Sequence, residues 1–315
     1  MTTRPLIDPE LLPLLELFPS TTATLETLGE IRQGVAALQA LMPLPATAAT
    51  LREQVIPGPS GAPDVRVVIY TPAGQATGRP GLLHTHGGGY ILGAPEMSSA
   101  RLLTLADELG CVVVSVDYRL APEHPYPAPV EDAYAALTWF HQHAGDLGVD
   151  PAKIAIGGES AGGGLAAALG LLARDRGEVP VCFQLLIYPM LDDRTCTAAT
   201  PNPHTGEFIW TREANHFGWS SLLGRAPGAT QASCYAVPAR AETVAGLPPT
   251  FIAVGALDLF LEEDIAYAQR LLHAGIATEL HVYPGAFHAF DMMAPAQVAQ
   301  QFERDFRGAL RRAWA

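Results

Sequence analysis

Charge is scarce in this chain of 315 residues: Asp, Glu, Lys and Arg together make up 16% of it. Long disordered tracts carry far more, so the composition argues against them. Basic charge is scarcer still, with 19 Lys and Arg against 32 Asp and Glu and a formal net charge of −13. No Lys/Arg cluster interrupts that balance, and such a surface repels nucleic acid and anionic membranes. Cysteine occurs at four positions, Cys111, Cys182, Cys196 and Cys234, none spaced as a CxxC metal or redox motif. Cys111 and Cys182 sit in apolar runs that read as buried strands, where a thiol serves as a small core residue. Whether Cys196 and Cys234 meet is left open, and a reduced, cytosolic setting is expected. No apolar run has the length of a membrane span. The N-terminal stretch lacks the basic-then-apolar layout and cleavage site of a signal peptide. A soluble, cytoplasmic protein without stable membrane association is the expectation. Internal repeats and low-complexity tracts are also lacking.

Hydrophobic residues make up 49% of the chain, enough for a large core. In the first fifty residues, Leu25, Leu28, Ile31, Val35, Leu38 and Met42 recur at helical steps, closed by Pro43 and Pro45. Before them Leu11, Leu12, Leu14, Leu15 and Leu17 form an apolar stretch broken by Pro13 and Pro19. Beyond residue 50, short apolar runs alternate with helical patterns, the texture of βα units. Strands are predicted at 51–56, 65–71, 81–85, 111–116, 153–156, 181–188, 250–254 and 278–283, and helices at 98–109, 130–143, 161–174, 262–273 and 295–311. Near-continuously apolar strands imply a sheet buried on both faces. Residues 191–247 hold no clear strand and are too long for an empty loop, so a helical insertion is predicted there. With residues 1–50 it would form a cap over a catalytic domain of residues 51–190 and 248–315.

One apolar strand runs into Gly158-Glu159-Ser160-Ala161-Gly162 and then into an Ala/Leu-rich helix. A bare G-x-S-x-G arises by chance. Flanked by strand and helix, it reads as the sharp turn that exposes a nucleophilic serine at the positive end of a helix. Another strand ends in His86-Gly87-Gly88-Gly89-Tyr90. Acyl transfer builds an oxyanion that backbone N–H groups must reach without side chains in the way. Gly88 and Gly89 are the candidate upstream donors and Ala161 the third. A phosphate cradle is excluded because no Gly-Lys-Ser/Thr follows. His86 reads as a structural hydrogen-bonder rather than a base.

A serine nucleophile needs a base, and the base an orienting carboxylate. Of ten His residues, His288 follows a strand end in Gly285-Ala286-Phe287-His288, and Asp258 follows another in Gly255-Ala256-Leu257-Asp258. Sites in open α/β sheets collect at such ends, and the order Ser160, Asp258, His288 is that of α/β-hydrolases. Asp264 and Asp291 are rival carboxylates in helical or post-helical positions, and His281 lies within a strand. The chemistry requires no cofactor and no metal. Phe208, Trp210, Phe217 and Trp219 are equally suited to line an acyl pocket or to form the core of the cap.

His86 to Gly89, Tyr118-Arg119-Leu120-Ala121-Pro122-Glu123-His124-Pro125-Tyr126-Pro127-Ala128, Gly158 to Gly163, Asp258 and the Gly285-x-x-His288-x-Phe290 segment together carry a resemblance. From about residue 50 onward the chain resembles the hormone-sensitive-lipase-like group of bacterial esterases, family IV carboxylesterases of the α/β-hydrolase superfamily. The resemblance implies an eight-stranded, mostly parallel α/β-hydrolase sheet flanked by helices, with a helical cap. It implies hydrolysis of short- to medium-chain acyl esters through an acyl-enzyme, and, since members often dimerise, a homodimer. Glu159 departs from the more usual Asp or Thr before the nucleophile. The Tyr118–Ala128 motif and Asp132 are, by resemblance, structural supports near the site. Two alternatives stay open: a hormone-receptor-like binding protein on this scaffold, which would lack the catalytic His, and a related hydrolase such as an amidase, lactonase, carbamate hydrolase or deacetylase.

Overall fold

Runs of Val, Ile and Leu too short for helices, bounded by Gly, Pro or Asp, become strands. The computed structural model describes residues 2–17, 23–41 and 43–315. Its sheet holds β1 (Thr50–Ile56), β2 (Val65–Thr71), β3 (Arg79–Thr85), β4 (Val112–Asp117), β5 (Val149–Glu159), β6 (Gln184–Ile187), β7 (Thr250–Gly255) and β8 (Thr278–Tyr283). The strand order is β1-β2-β4-β3-β5-β6-β7-β8. β2 is antiparallel to β1 and β4, and every other pair is parallel. Each strand lies where the apolar runs placed it, within two residues at its ends except in β5 and β6. β5 starts at Val149, where it pairs with Arg79 of β3. β6 starts only at Gln184 because residues 181–183 lead in through single bonds such as Cys182 N–H to Ile154 O at 2.9 Å. Cys111 is buried, whereas Cys182, in that lead-in, is only half-buried, and all four cysteines are free thiols.

β4 shows why strands apolar on both sides were needed. Val112, Val114 and Val116 join one core with Val130, Leu137 and Leu165, while Val113 joins the other with Leu102, Phe302 and Phe306. The helices supply these two layers. They are α1 (Leu14–Leu17), α2 (Leu28–Leu41), α3 (Ser99–Leu109), α4 (Ala128–Gln142), α5 (Ala161–Arg176), α6 (Arg212–Leu223), α7 (Leu261–His273) and α8 (Gln297–Ala313). α4, α5 and α7 cover one face, and α3 and α8 the other. α5 is buried all round from Ala161 to Ala173, which only a helix of Ala, Gly and Leu can be without stranding polar groups. α8 instead buries a stripe, Phe302, Phe306 and Leu310, at four-residue steps.

Between β6 and β7 the only α-helix is α6, with short 3-10 turns at Thr195–Thr197 and Pro238–Arg240, so most of that stretch is irregular. At the other end of the chain come two 3-10 turns, Arg4–Leu6 and Pro9–Leu11, then α1 and α2. Pro19 and Met42 fall outside the described residues. The periodic pattern over α2 buries less than it promised. Leu28 is buried against Ile91 and Ala121, but Leu38 is 56% exposed. Polar bonds hold the helix instead. Arg32 donates to Ile91 O at 2.8 Å and to Ala121 O at 2.9 Å, and pairs with Glu123 at 2.7 Å. Among the described residues, no helix is long and apolar enough to cross a membrane.

The loop after β4 is held by Asp132, which is fully buried at the start of α4. Its carboxylate accepts from Arg119 N at 3.0 Å, Nε at 2.8 Å and Nη2 at 2.7 Å. Removing one partner of a buried pair leaves an uncompensated charge. Arg119→Ala, which strands the fully buried Asp132 carboxylate, is expected to lower unfolding free energy by roughly 3 kcal/mol in urea titration; an unchanged midpoint would show that the loop is held by its prolines alone.

Candidate active site

Three strand ends converge at one edge of the sheet. Ser160 follows β5 with φ 56° and ψ −123°, a conformation that L-residues rarely adopt. The turn lies under the backbone leaving β3. A Cβ on Gly162 would stand 2.1 Å from Thr85 O and 2.5 Å from His86 O, and one on Gly158 would stand 2.2 Å from Thr85 O. Both glycines are therefore steric requirements of the close approach. Thr85 Oγ1 completes the contact by donating to Gly162 O at 2.8 Å. Ser160 is consequently at the N-terminus of α5, whose dipole favours negative charge there.

The loops after β7 and β8 bring up the other two groups. The Ser160 hydroxyl donates to His288 Nε2 at 2.9 Å, and His288 Nδ1–H donates to Asp258 Oδ2 at 2.8 Å. Asp258 Oδ1 accepts from Phe260 N at 3.0 Å, so both oxygens of this buried carboxylate are used. Leu257 N–H to Ala286 O at 2.9 Å and Ala256 N–H to Tyr283 O at 2.8 Å stitch the two loops together. Aromatic rings hold the imidazole: Tyr188 at 4.8 Å and Phe260 at 5.2 Å, both edge-on. The amides of Gly88, Gly89 and Ala161 have no protein acceptor among the described residues. The structure thus brings Ser160, His288 and Asp258 into one hydrogen-bonded line.

The rivals go elsewhere. Asp264 is fully buried on α7 with neither oxygen hydrogen-bonded among the described residues, and burial, with Glu263 and Asp258 nearby, raises its pKa well above the ordinary carboxylate value. His281 pairs with Glu279 at 2.7 Å and also faces Asp305. His86 stacks on Tyr118 at 4.3 Å and donates from Nδ1 to Gly87 O at 2.8 Å. Burial pushes its pKa down to about 4, which makes it a neutral brace for the glycine loop.

No motif in the sequence assigns Glu159 a role or places His84, Arg101 or Tyr188 at the site. His84 Nε2 donates to Glu159 Oε2 at 2.9 Å, and Arg101 Nη1 lies 3.5 Å from Glu159 Oε1. Arg101 also pairs with Asp291, the other rival carboxylate, which accepts from Tyr188 OH at 2.7 Å. This buried chain of charges runs behind Ser160 to the ring that packs on His288. The one hint in the sequence is the ionisable Glu159 inside an otherwise apolar and small-residue segment.

Of Phe208, Trp210, Phe217 and Trp219, Trp219 is fully buried against Tyr90 and Phe217 packs beside Leu28 and Ile91. Trp210 and Phe208 reach the site, at 6.3 Å from the His288 ring and 5.8 Å from the Phe287 ring.

Known proteins share this arrangement of chain. Residues 82–292 match the family described as alpha/beta hydrolase fold. The carboxylesterase NlhH of Mycobacterium tuberculosis is 36% identical over 303 residues, 93% of this chain and 92% of its own. Esterase LipI of the same organism is 34% identical, covering 91% of this chain and 88% of its own. Among solved structures, a bacterial heroin esterase is 41% identical with a TM-score of 0.94, covering 100% of both chains.

Two outcomes follow from the geometry. Gly162→Ala must push the elbow away from the β3 loop, and a displacement near 1 Å costs about 10²-fold in rate. A loss of that order in turnover is expected, and a near-native rate would show that the contact can relax. For Glu159, burial opposes ionisation, but His84 and Arg101 outweigh it and hold the pKa down at about 2. A carboxyl depressed on folding stabilises the fold above its unfolded value of about 4.3, and that contribution is lost as pH falls through the folded value. The urea midpoint of the native protein should therefore fall more steeply between these pH values than that of Glu159→Gln; parallel curves would refute the assignment.

Proposed function

The chain belongs to the α/β-hydrolase family and is an ester hydrolase of the serine-hydrolase type, and from that premise we propose that Ser160, His288 and Asp258 carry its chemistry. The observation supporting this reading is the unbroken relay from the Ser160 hydroxyl through both nitrogens of His288 to Asp258, at 2.9 and 2.8 Å. His288 Nε2 takes the proton as Ser160 Oγ attacks the ester carbonyl. Asp258 fixes the tautomer that leaves Nε2 free to accept and stabilises the imidazolium that forms. The amides of Gly88, Gly89 and Ala161 receive the oxyanion, each donor contributing roughly 10²–10³ in rate. His288 then protonates the departing alcohol oxygen, leaving an acyl-serine. Water, deprotonated by the same imidazole, releases the carboxylic acid and restores Ser160. Substrate and water balance the cycle.

On this reading residues 51–190 and 248–315 form the catalytic domain, and residues 1–50 with 191–247 form the cap. The substrates are short- to medium-chain acyl esters. Support comes from relatives named as an ethyl acetate hydrolase of Pseudomonas putida and an arylesterase of Saccharolobus solfataricus. The proposal includes a homodimer and a cytoplasmic location, in keeping with four free thiols.

Ser160→Ala is expected to abolish hydrolysis of p-nitrophenyl butyrate while circular dichroism and melting temperature stay native. Asp258→Asn should lower kcat by roughly 10⁴, because the imidazole then takes the wrong tautomer. Retained turnover in the serine variant would mean another nucleophile.

A further inference from the structure

Ile209 has φ 62°, in the left-handed region, where a β-branched side chain is strained. The strain has a local cause. Trp210 N–H donates to Phe208 O at 2.7 Å, closing a three-residue γ-turn of the rarer hand around Ile209. Strain of this kind persists only where its surroundings over-determine it, and it clusters at functional sites.

What over-determines the turn is the placement of Trp210. Its ring lies on the oxyanion loop, so close that a Cβ on Gly89 would stand 2.2 Å from it. α6 approaches from behind, where a Cβ on Gly218 would meet Gly89 O at 2.8 Å and the indole at 3.4 Å. The indole Nε1–H donates to the buried Asn215 Oδ1 at 3.1 Å, which fixes the ring's rotation. The ring centroid is 6.3 Å from that of His288, at an interplanar angle of 37°. On the other arm of the turn, Phe208 rests on Phe287, the neighbour of His288. Phe208, Ile209 and Trp210 all stay partly exposed, while the nearby rings of Trp219 and Tyr90 are sealed in the core. An apolar, partly open surface therefore borders the imidazole on the side of the oxyanion amides.

The oxygen that His288 protonates is the leaving oxygen of the ester, so the alcohol must sit within hydrogen-bond reach of Nε2. A rigid ring beside the imidazole is then a wall of the alcohol subsite. We propose that Trp210 is a specificity-determining residue for the alcohol half of the substrate, and that it selects esters of flat aromatic alcohols by stacking. The proposal rests on the hydrolytic reading above and adds the substrate class to it. Acyl length is not set by this ring.

The test compares kcat/KM for benzyl acetate, butyl acetate and benzyl hexanoate in the native chain and in Trp210→Leu. Taking ratios between enzymes cancels the intrinsic reactivity of each ester. The benzyl-over-butyl preference should fall by about 2- to 10-fold in the variant, the range of an aromatic pair, with the acetate-over-hexanoate ratio unchanged. An unchanged benzyl-over-butyl ratio, or a change confined to acyl length, would overturn the assignment. If Trp210→Leu does not fold, product inhibition of the native enzyme decides. Benzyl alcohol should inhibit several-fold more tightly than cyclohexylmethanol, and equal inhibition would refute stacking. Absence of turnover on any ester in the native protein would instead be a failure of the hydrolytic reading.

Discussion

A backbone contact with no room for a methyl group governs this molecule. Where β3 ends, the carbonyls of Thr85 and His86 press on the turn between β5 and α5, and only Gly158 and Gly162 let the two segments meet. That contact holds Ser160 in its rare conformation and brings the start of the glycine loop, at Gly87, against Glu159 and Ser160. The turn that carries the proposed nucleophile and the glycine loop after β3 are thus two sides of a single packing event. Much of what surrounds them serves to keep the contact closed: Thr85 Oγ1 on Gly162 O, His86 stacked on Tyr118, and Tyr118 OH donating to His86 O at 2.7 Å.

The second organising feature is electrical. The fold places few charges in its interior, and those around the elbow are joined. Glu159, His84, Arg101, Asp291 and Tyr188 form a chain from the residue before Ser160 to the ring against the His288 imidazole. Removing water from such groups is costly unless each has a partner. The chain therefore ties β3, the elbow, α3 and the loop after His288 into a unit that cannot shift piecemeal. It offers a second route, independent of the Ser160–His288 bond, by which the two loops are kept in register.

The long stretch between β6 and β7 acts through side chains more than through helices. Only α6 is regular, yet it presses Trp210 onto the oxyanion loop, and the first residues of the chain reach the same stretch. Thr3 Oγ1 donates to Glu207 at 2.6 Å, while Asp8 N–H donates to Gly285 O at 3.0 Å. The N-terminal residues thus tie the segment before Trp210, at Glu207, to the loop that carries His288, at Gly285. Ile7, Leu11 and Leu14 bury themselves in the same core as Phe287 and Tyr283 and fasten this span from below.

Eight strands, their parallel majority and the three residues of the relay were legible in the sequence. Each depends on information local to a few residues: apolar runs mark strands, and a glycine-flanked serine between strand and helix marks an elbow. The positions of Asp258 and His288 followed from a general rule about strand ends. Partnerships between distant segments were not legible. Nothing near Arg101 in the chain points to Glu159 or Asp291, and nothing near Trp210 points to Gly89, because charge pairing and ring packing depend on distances that only folding sets. The helical periodicity of α2 misled about burial for the same reason: a pattern of leucines states what a face could bury, and Leu38 stays largely exposed. Sequence determined which chemistry the chain can perform; tertiary structure decided which side chains enclose it, since enclosure is a property of surfaces brought together from far apart.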